Sequence, residues 1–245
     1  MSHNVHILEG AYFISDAHYS YKRPELLDLI KAIHLKELQP TQLIFMGDIF
    51  DALFGSISNT LKNNQDMVKI INEISQSIEV IYLEGNHDFN LKDVFPYAKI
   101  FTIKQQPITC MYEDKKILLA HGDFESNFGY RAYTWLIRNP LILPVLNLLN
   151  NVFNDFVLKN LNKYLNVKDD CKEFIGLRKF ISKRLEGKYS CDYFIEGHLH
   201  QNKIIKFDGF TYINLAAFAC NQRYFIVKSS KELELLQEKN FSQGI

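Results

Sequence analysis

The chain has 245 residues, 47% of them hydrophobic and 13% aromatic, with 28 basic and 28 acidic side chains. Such a composition excludes a disordered chain and supplies apolar surface for one sizeable core. Zero net charge excludes a global basic footprint for nucleic acid and leaves only a local basic face open.

No run of about twenty uninterrupted apolar residues occurs, so no membrane-spanning helix is expected. The first residues lack a basic region followed by an apolar run, so no signal peptide is expected. Cys110, Cys171, Cys191 and Cys220 form no C-x-x-C. This suggests neither a zinc knuckle nor a redox dithiol, and the expectation is reduced, partly buried thiols in a cytosolic protein.

In chain order, Ala11–Ile14 reads as a strand and runs into Ser15-Asp16-Ala17-His18. Pro24 opens a helix whose apolar residues, Leu26, Leu27, Ile30, Ile33 and Leu38, recur at helical spacing. Gln42–Met46 is a second strand and ends in Gly47-Asp48-Ile49-Phe50-Asp51. A polar loop and a second helix, with Met67, Val68, Ile70, Ile71 and Ile74 on its apolar side, lead to the strand Ile78–Leu83. Gly85-Asn86-His87-Asp88 follows that strand. Strand–helix alternation of this kind argues for an α/β core.

From Lys99 the pattern changes to three short strands, Lys99–Ile103, Pro107–Tyr112 and Lys116–Ala120, with a hairpin turn at Glu113-Asp114 and then His121-Gly122-Asp123. Residues from Gly129 to about Lys188 read as helical. Asp192–Ile195 is a strand ending in Glu196-Gly197-His198-Leu199-His200, and Lys203–Phe207, Thr211–Leu215 and Tyr224–Lys228 are three more. The tail from Ser229 is polar and is expected to be peripheral. The chain thus reads as one domain over residues 1–245, with a helical insertion over about 129–188.

Five strand ends carry residues of metal-ligand type: Asp16 and His18, Asp48, Asn86 with His87, His121, and His198 with His200. Five of the eight histidines sit in these turns. A lone histidine at a strand end is more often a surface or capping residue, but chance placement would scatter the set. His3, His6 and His34 fall in no such turn. In an extended chain, residues i and i+2 point the same way, so Asp16/His18 and His198/His200 can each address one metal centre. A carboxylate at Asp48, on a strand expected to be central, can bridge two cations. Seven ligands around one shared carboxylate fit a two-metal site with ions roughly 3.5–4 Å apart. Mixed imidazole, carboxylate and amide ligands favour manganese, iron or zinc over calcium.

The ordered set D-x-H, G-D-x-x-D, G-N-H-D, H-G-D and G-H-x-H resembles the calcineurin-like metallophosphoesterases. It stands here as Asp16-Ala17-His18, Gly47-Asp48-Ile49-Phe50-Asp51, Gly85-Asn86-His87-Asp88, His121-Gly122-Asp123 and Gly197-His198-Leu199-His200. The resemblance implies a four-layer α-β-β-α sandwich of two mixed sheets with the site at the strand ends. It also implies that Asp16, His18, Asp48 and His200 hold one ion and that Asp48, Asn86, His121 and His198 hold the other. His87 would then steady transition-state charge or protonate the leaving oxygen. Asp88 would orient His87 by accepting its second N–H, and Asp51 and Asp123 would support nearby ligands.

The segment between His121 and His198 bears on substrate. Gly129–Val157 is unusually apolar but is broken by Arg138, Pro140 and Pro144. Beyond Asp169-Asp170, Phe174, Leu177, Ile181 and Leu185 fall on one helix side, with Lys172, Arg178, Lys179, Lys183 and Arg184 mostly on the other. A helical hairpin packing on itself explains this pattern. So does a cap with an apolar groove for acyl chains and a basic rim for anionic head groups. The G-Y-x-x-[FY] run at Gly129–Tyr133, and the final stretch Asn214–Phe218 with Tyr224–Val227, look like the UDP-2,3-diacylglucosamine diphosphatases of lipid A synthesis. That resemblance implies two divalent ions, most often manganese. It implies a UDP-linked diacyl sugar lipid as substrate, contacted by Asn86, His87, Tyr130, Lys168 and His198. It places the chain in the cytoplasm, peripheral on the inner face of the membrane, with no nucleic-acid partner. A phosphoesterase acting on another phosphoester and a non-catalytic binding module are the alternative readings.

Overall fold

Short runs of β-branched and aromatic residues build two six-stranded sheets. In the computed structural model the described residues are 5–124, 138–139, 171–229 and 234–243. The strands of the first sheet are β2 (Tyr12–Ile14), β3 (Gln42–Phe45), β5 (Glu79–Leu83), β7 (Lys99–Phe101), β13 (Arg223–Val227) and β14 (Leu236–Asn240). They lie in the order β14-β13-β2-β3-β5-β7. From β2 to β7 the pairing is parallel, and on the other side of β2 the sheet continues with antiparallel β13 and then antiparallel β14 at its edge. The second sheet contains β1 (Val5–His6), β8 (Ile108–Tyr112), β9 (Lys115–Ala120), β10 (Tyr193–Glu196), β11 (Lys203–Phe207) and β12 (Phe210–Asn214), in the order β1-β8-β9-β10-β12-β11. A small parallel pair joins β4 (Leu53–Phe54) to β6 (Asp88–Phe89).

Alternation along each strand divides the core. Tyr12, Ile14, Leu43, Phe45, Val80 and Tyr82 pack with α1 (Glu25–His34) and α3 (Gln65–Ile74) through Leu29, Ile30, Ile33, Met67 and Ile71. Their neighbours Phe13, Ile44, Ile81 and Leu83 point the other way and share a core with Cys110, Ile117, Leu119, Ile195 and Ile213 of the second sheet. On that sheet's far face, Leu118, Phe194 and Tyr212 pack against Leu177, Ile181 and Leu185 of the next described helix, α4 (Leu177–Leu185). Strands buried on both faces are apolar almost without break, and each fully buried large side chain contributes roughly 1.5–3 kcal/mol.

Two readings of the sequence are corrected here. The tail is not wholly peripheral: Leu236–Asn240 pairs with all five residues of β13 and buries Leu236. The cysteines are not all reduced thiols, because Cys171 and Cys220 form a disulfide while Cys110 and Cys191 remain free. The three consecutive strands from Lys99 also divide, β7 joining one sheet and β8–β9 the other. Of the expected insertion, residues 138–139 and 171–188 are described; Tyr130 and Lys168 lie outside the described residues. Arg184, read as part of a basic helix side, is buried at 8% exposure. No helix among the described residues is long and apolar enough to cross a membrane.

Candidate metal centre

All five ligand-bearing turns follow strands: β2, β3 and β5 of the first sheet, β9 and β10 of the second. β3 lies inside its sheet, between β2 and β5, so Asp48 emerges at the middle of the cluster. Asp16, His18, Asp48, His198 and His200 all have φ between 45° and 59°. For residues other than glycine this left-handed conformation costs about 1–2 kcal/mol each and persists only where the surroundings enforce it. The enforcement is visible in the backbone: Asp16 N–H donates to the Gly47 carbonyl and His18 N–H to that of Asp48, while the carbonyls of Ser15 and Asp16 accept from Phe218 and Ala219. Those two donors belong to the short helix α5 (Phe218–Asn221).

Two glycines allow the turns to close on one another. A Cβ at Gly85 would run into the Asp48 carboxylate, and one at Gly197 into Ser15 Oγ and the Asp16 carboxylate. His198 N–H donates to Asp16 Oδ2 at 2.9 Å, which ties the two sheets together at the site.

Three sets of side chains come together with their ligand atoms within 4.8 Å of one another: Asp16, His18 and His200; Asp48, His121 and His198; and His18, Asp51 and His87. His200 Nε2 lies 3.0 Å from Asp16 Oδ1. His121 Nε2 lies 3.4 Å from Asp48 Oδ2 and 3.3 Å from Asn86 Oδ1. His121 Nδ1 faces the Met46 carbonyl at 2.9 Å and donates to it, which leaves Nε2 aimed at the two oxygens. A ring nitrogen and two oxygens that converge in this way form a candidate cation site: against burial, the Asp48 carboxylate raises His121 well above its ordinary value, and a divalent ion would take the place of the proton held there. His18 adds a second sign of this, being 2% exposed with neither ring nitrogen hydrogen-bonded. A buried imidazole without a partner is costly unless something binds it. The donor set therefore fits two divalent ions of the manganese, iron and zinc class.

The electrostatics agree with that fit. Burial drives His18 down to about 4 and His198 down to about 3, so both imidazoles are neutral, the form that ligates metal. Burial opposes the Asp16 and Asp48 anions, yet the facing imidazoles His200 and His121 hold both carboxylates below their usual range.

The orienting role expected of Asp88 is not what the structure places there. His87 Nδ1 lies 2.9 Å from the main-chain carbonyl of Asp51. Asp88 instead accepts hydrogen bonds from the N–H groups of Asp48, Ile49, Phe50 and Gly85 and from the Tyr82 hydroxyl. Burial and the Asp48 carboxylate push its carboxyl up to about 7, against donors that favour the anion.

Several supporting residues carry no signal in the motifs. Gln106 accepts from His121 N–H at 2.6 Å and donates to the Glu84 carbonyl at 2.8 Å, linking the turns after β9 and β5. Asn214 donates to Gly197 O at 2.6 Å and accepts from Gln201 N–H at 2.7 Å, bracing the turn that carries His198 and His200. Glu196, beneath that turn, accepts from Arg184 and from Tyr212 Oη. Buried amides one strand away from a ligand turn could have suggested Gln106 and Asn214; Arg184 needed the fold.

The profile of the calcineurin-like phosphoesterases matches residues 11–202. The UDP-2,3-diacylglucosamine hydrolase of Haemophilus influenzae strain PittGG is 26% identical over 226 residues, covering 87% of this chain and 92% of that one. The enzyme of the same name from Psychromonas ingrahamii is 27% identical over 198 residues, covering 77% and 80%. That from Neisseria meningitidis serogroup A is 22% identical over 215 residues, covering 85% and 89%. This chain belongs to the calcineurin-like phosphoesterase family and is a metal-dependent phosphoester hydrolase.

Proposed function

From this family membership, we propose that the chain hydrolyses UDP-2,3-diacylglucosamine at the α-phosphorus, releasing UMP and 2,3-diacylglucosamine 1-phosphate. The observation that carries the substrate is the 26–27% identity, over most of both chains, to hydrolases named for it. In this reading Asp16, His18, Asp48 and His200 hold one divalent ion and Asp48, Asn86, His121 and His198 the other. Manganese is the ion proposed, with iron or zinc as the other candidates of that ligand chemistry. When bound, such a pair of ions lowers the pKa of water and polarises phosphoryl oxygens.

The chain's own residues do the rest. Asp48, grouped with His121 and His198 and accepting His87 N–H at 2.8 Å, is the carboxylate proposed to serve both ions. His87 has its Nδ1–H fixed by the Asp51 carbonyl, and its Nε2 lies 3.9 Å from Asp48 Oδ2. From there it holds a proton at Nε2 for the oxygen that leaves as the P–O bond breaks. Asn86, His87 and His198 contact the substrate phosphates, with Tyr130 and Lys168 as further contacts. The helical insertion over about 129–188 is proposed to cover the acyl chains, and the enzyme to work peripherally on the cytoplasmic face of the membrane.

The test uses the full chain with manganese and UDP-2,3-diacylglucosamine in detergent micelles, following UMP by chromatography. UMP release that stops on chelation and resumes on adding manganese is the expected result. Turnover of bis(p-nitrophenyl) phosphate with no UMP from the lipid would overturn the substrate and leave the phosphoesterase. A panel of nucleotides and phosphopeptides then identifies the true phosphoester.

A further inference from the structure

We infer that a cavity beside Asp51 receives the uracil nucleoside of the substrate, an inference that rests on the substrate reading above. The cavity measures about 290 Å³ and is lined by Ser20, Tyr21, Lys22, Asp51, Asn63 and Asn64 among others. Its size is at the lower edge of the roughly 300–1,000 Å³ typical of small-molecule sites. Its wall mixes the Tyr21 ring, Ala52 and apolar stems with amide, hydroxyl and charged groups, so it offers a nucleobase both an apolar face and hydrogen-bonding partners for its edge.

Asp51 joins this cavity to the metal centre. Its Oδ1 lies 3.8 Å from His18 Nδ1, and its carbonyl faces His87 Nδ1. Asp51 thus lines the cavity and also meets two histidines of the candidate metal centre, so an occupant of the cavity lies beside that centre.

Asn64 supplies the specificity. It is 7% exposed, and both hydrogens of its amide are committed, to the carbonyls of Ala52 at 3.0 Å and Thr60 at 2.8 Å. What it can offer the cavity is its carbonyl oxygen, held in place as an acceptor. Uracil presents an imide N3–H to such an acceptor, whereas cytosine presents a lone pair at the same atom. At the mouth, the Tyr21 ring is 86% exposed, with Lys22 Nζ 5.6 Å from its centroid. That is a free aromatic face on which a base can stack beside a cation.

The experiment is calorimetric titration of UMP and CMP into the manganese-loaded full chain and into Tyr21→Ala and Asn63→Trp. Both substituted residues are exposed, and unchanged melting temperatures verify the fold. UMP is expected to bind at least about tenfold tighter than CMP, the cost of setting one buried acceptor against another. Tyr21→Ala is expected to weaken UMP by about tenfold, and Asn63→Trp, which fills the cavity mouth, by at least as much. Equal affinities for UMP and CMP, or UMP affinity unmoved in both variants, would mean that only the phosphate is held, and the inference falls. Hydrolysis of UDP-2,3-diacylglucosamine with KM unmoved by both variants removes the uracil site and keeps the substrate. Selective, cavity-dependent UMP binding without lipid hydrolysis removes the substrate and keeps the uracil site.

Discussion

Asp88 Oδ1 accepts the main-chain N–H of Asp48 at 3.0 Å, so the turn after β5 sets the conformation of the turn after β3. The same carboxylate takes Ile49 N–H at 2.6 Å, Gly85 N–H at 2.9 Å and Tyr82 Oη at 2.6 Å. Asp48, with φ at 52°, is therefore held in its left-handed conformation in part by the Asp88 carboxylate.

Replacing Asp88 by alanine leaves these buried donors unsatisfied. It is expected to cost about 3–5 kcal/mol of stability and to strip the bound divalent metal along with activity. Urea unfolding and elemental analysis of the variant measure both. A stable, fully loaded Asp88→Ala enzyme with low turnover would show instead that the carboxylate acts in the chemistry.

Arg184 and Glu196 form a buried ion pair under the turn that carries His198. Arg184 Nη1 also donates to the Gly122 carbonyl at 3.1 Å, next to His121. Removing one partner leaves a buried charge, and Arg184→Met is expected to cost about 3–5 kcal/mol. Adding Glu196→Gln removes that charge and should restore part of the loss. A double variant as unstable as the sum of the two singles would mean the pair is not coupled.

The free thiols should be inert in the folded protein. Burial pushes Cys110 up to about 12 and Cys191 up to about 11, from an ordinary value near 9. At pH 8 the Cys110 thiolate is then about a thousandfold rarer than in the unfolded chain. Both folded values are raised, so the stability they contribute is complete below pH 9 and is lost as pH climbs toward 11–12, where the unfolded thiols have already ionised. Iodoacetamide labelling at pH 8 with and without urea, and urea midpoints from pH 8 to 11, test the two halves of this prediction.

How far the site was legible depended on what kind of information each residue carries. His18, Asp48 and His121, which fall in the candidate cation groups, were legible because a metal site at strand ends needs particular residue types at fixed offsets. The strands beneath them were legible because burial on both faces leaves few polar breaks, as in Leu43-Ile44-Phe45. Asp88 was misread because adjacency in sequence to His87 says nothing about which way a carboxylate turns; the pleat sends it under β3. Gln106, Asn214 and Arg184 act through pairs far apart in sequence. Leu236–Asn240 was missed because an exposed edge strand alternates weakly, with one side of its ladder facing solvent.

The disulfide between Cys171 and Cys220 closes a span of 49 residues and ends in α5, whose first N–H groups hold the carbonyls of Ser15 and Asp16. A loop of that size is worth about 4 kcal/mol in the chain-entropy account. Cys220→Ser, or reduction, is expected to lower stability by up to that amount. Thiol titration of unfolded protein should find two thiols without reductant, Cys110 and Cys191, and all four with it. Four reactive thiols before reduction, in protein purified under air, would contradict the pairing.

His87 can be assigned by separating metal content from turnover. It stands in two relationships at once: its Nδ1 is fixed by the Asp51 carbonyl, and it shares a potential cation set with His18 and Asp51. As the proton donor to the leaving oxygen, His87→Gln should retain both ions and lose about 10²–10⁴-fold in kcat. The loss should shrink for a substrate whose leaving group is acidic enough to depart unprotonated, such as p-nitrophenolate, because the acid then has little to supply. As a ligand, the same substitution should lower metal content, and added manganese should restore turnover on good and poor leaving groups alike. The geometry favours the first outcome: His87 Nε2 stands 3.9 Å from Asp48 Oδ2, farther from that carboxylate than His121 Nε2 at 3.4 Å.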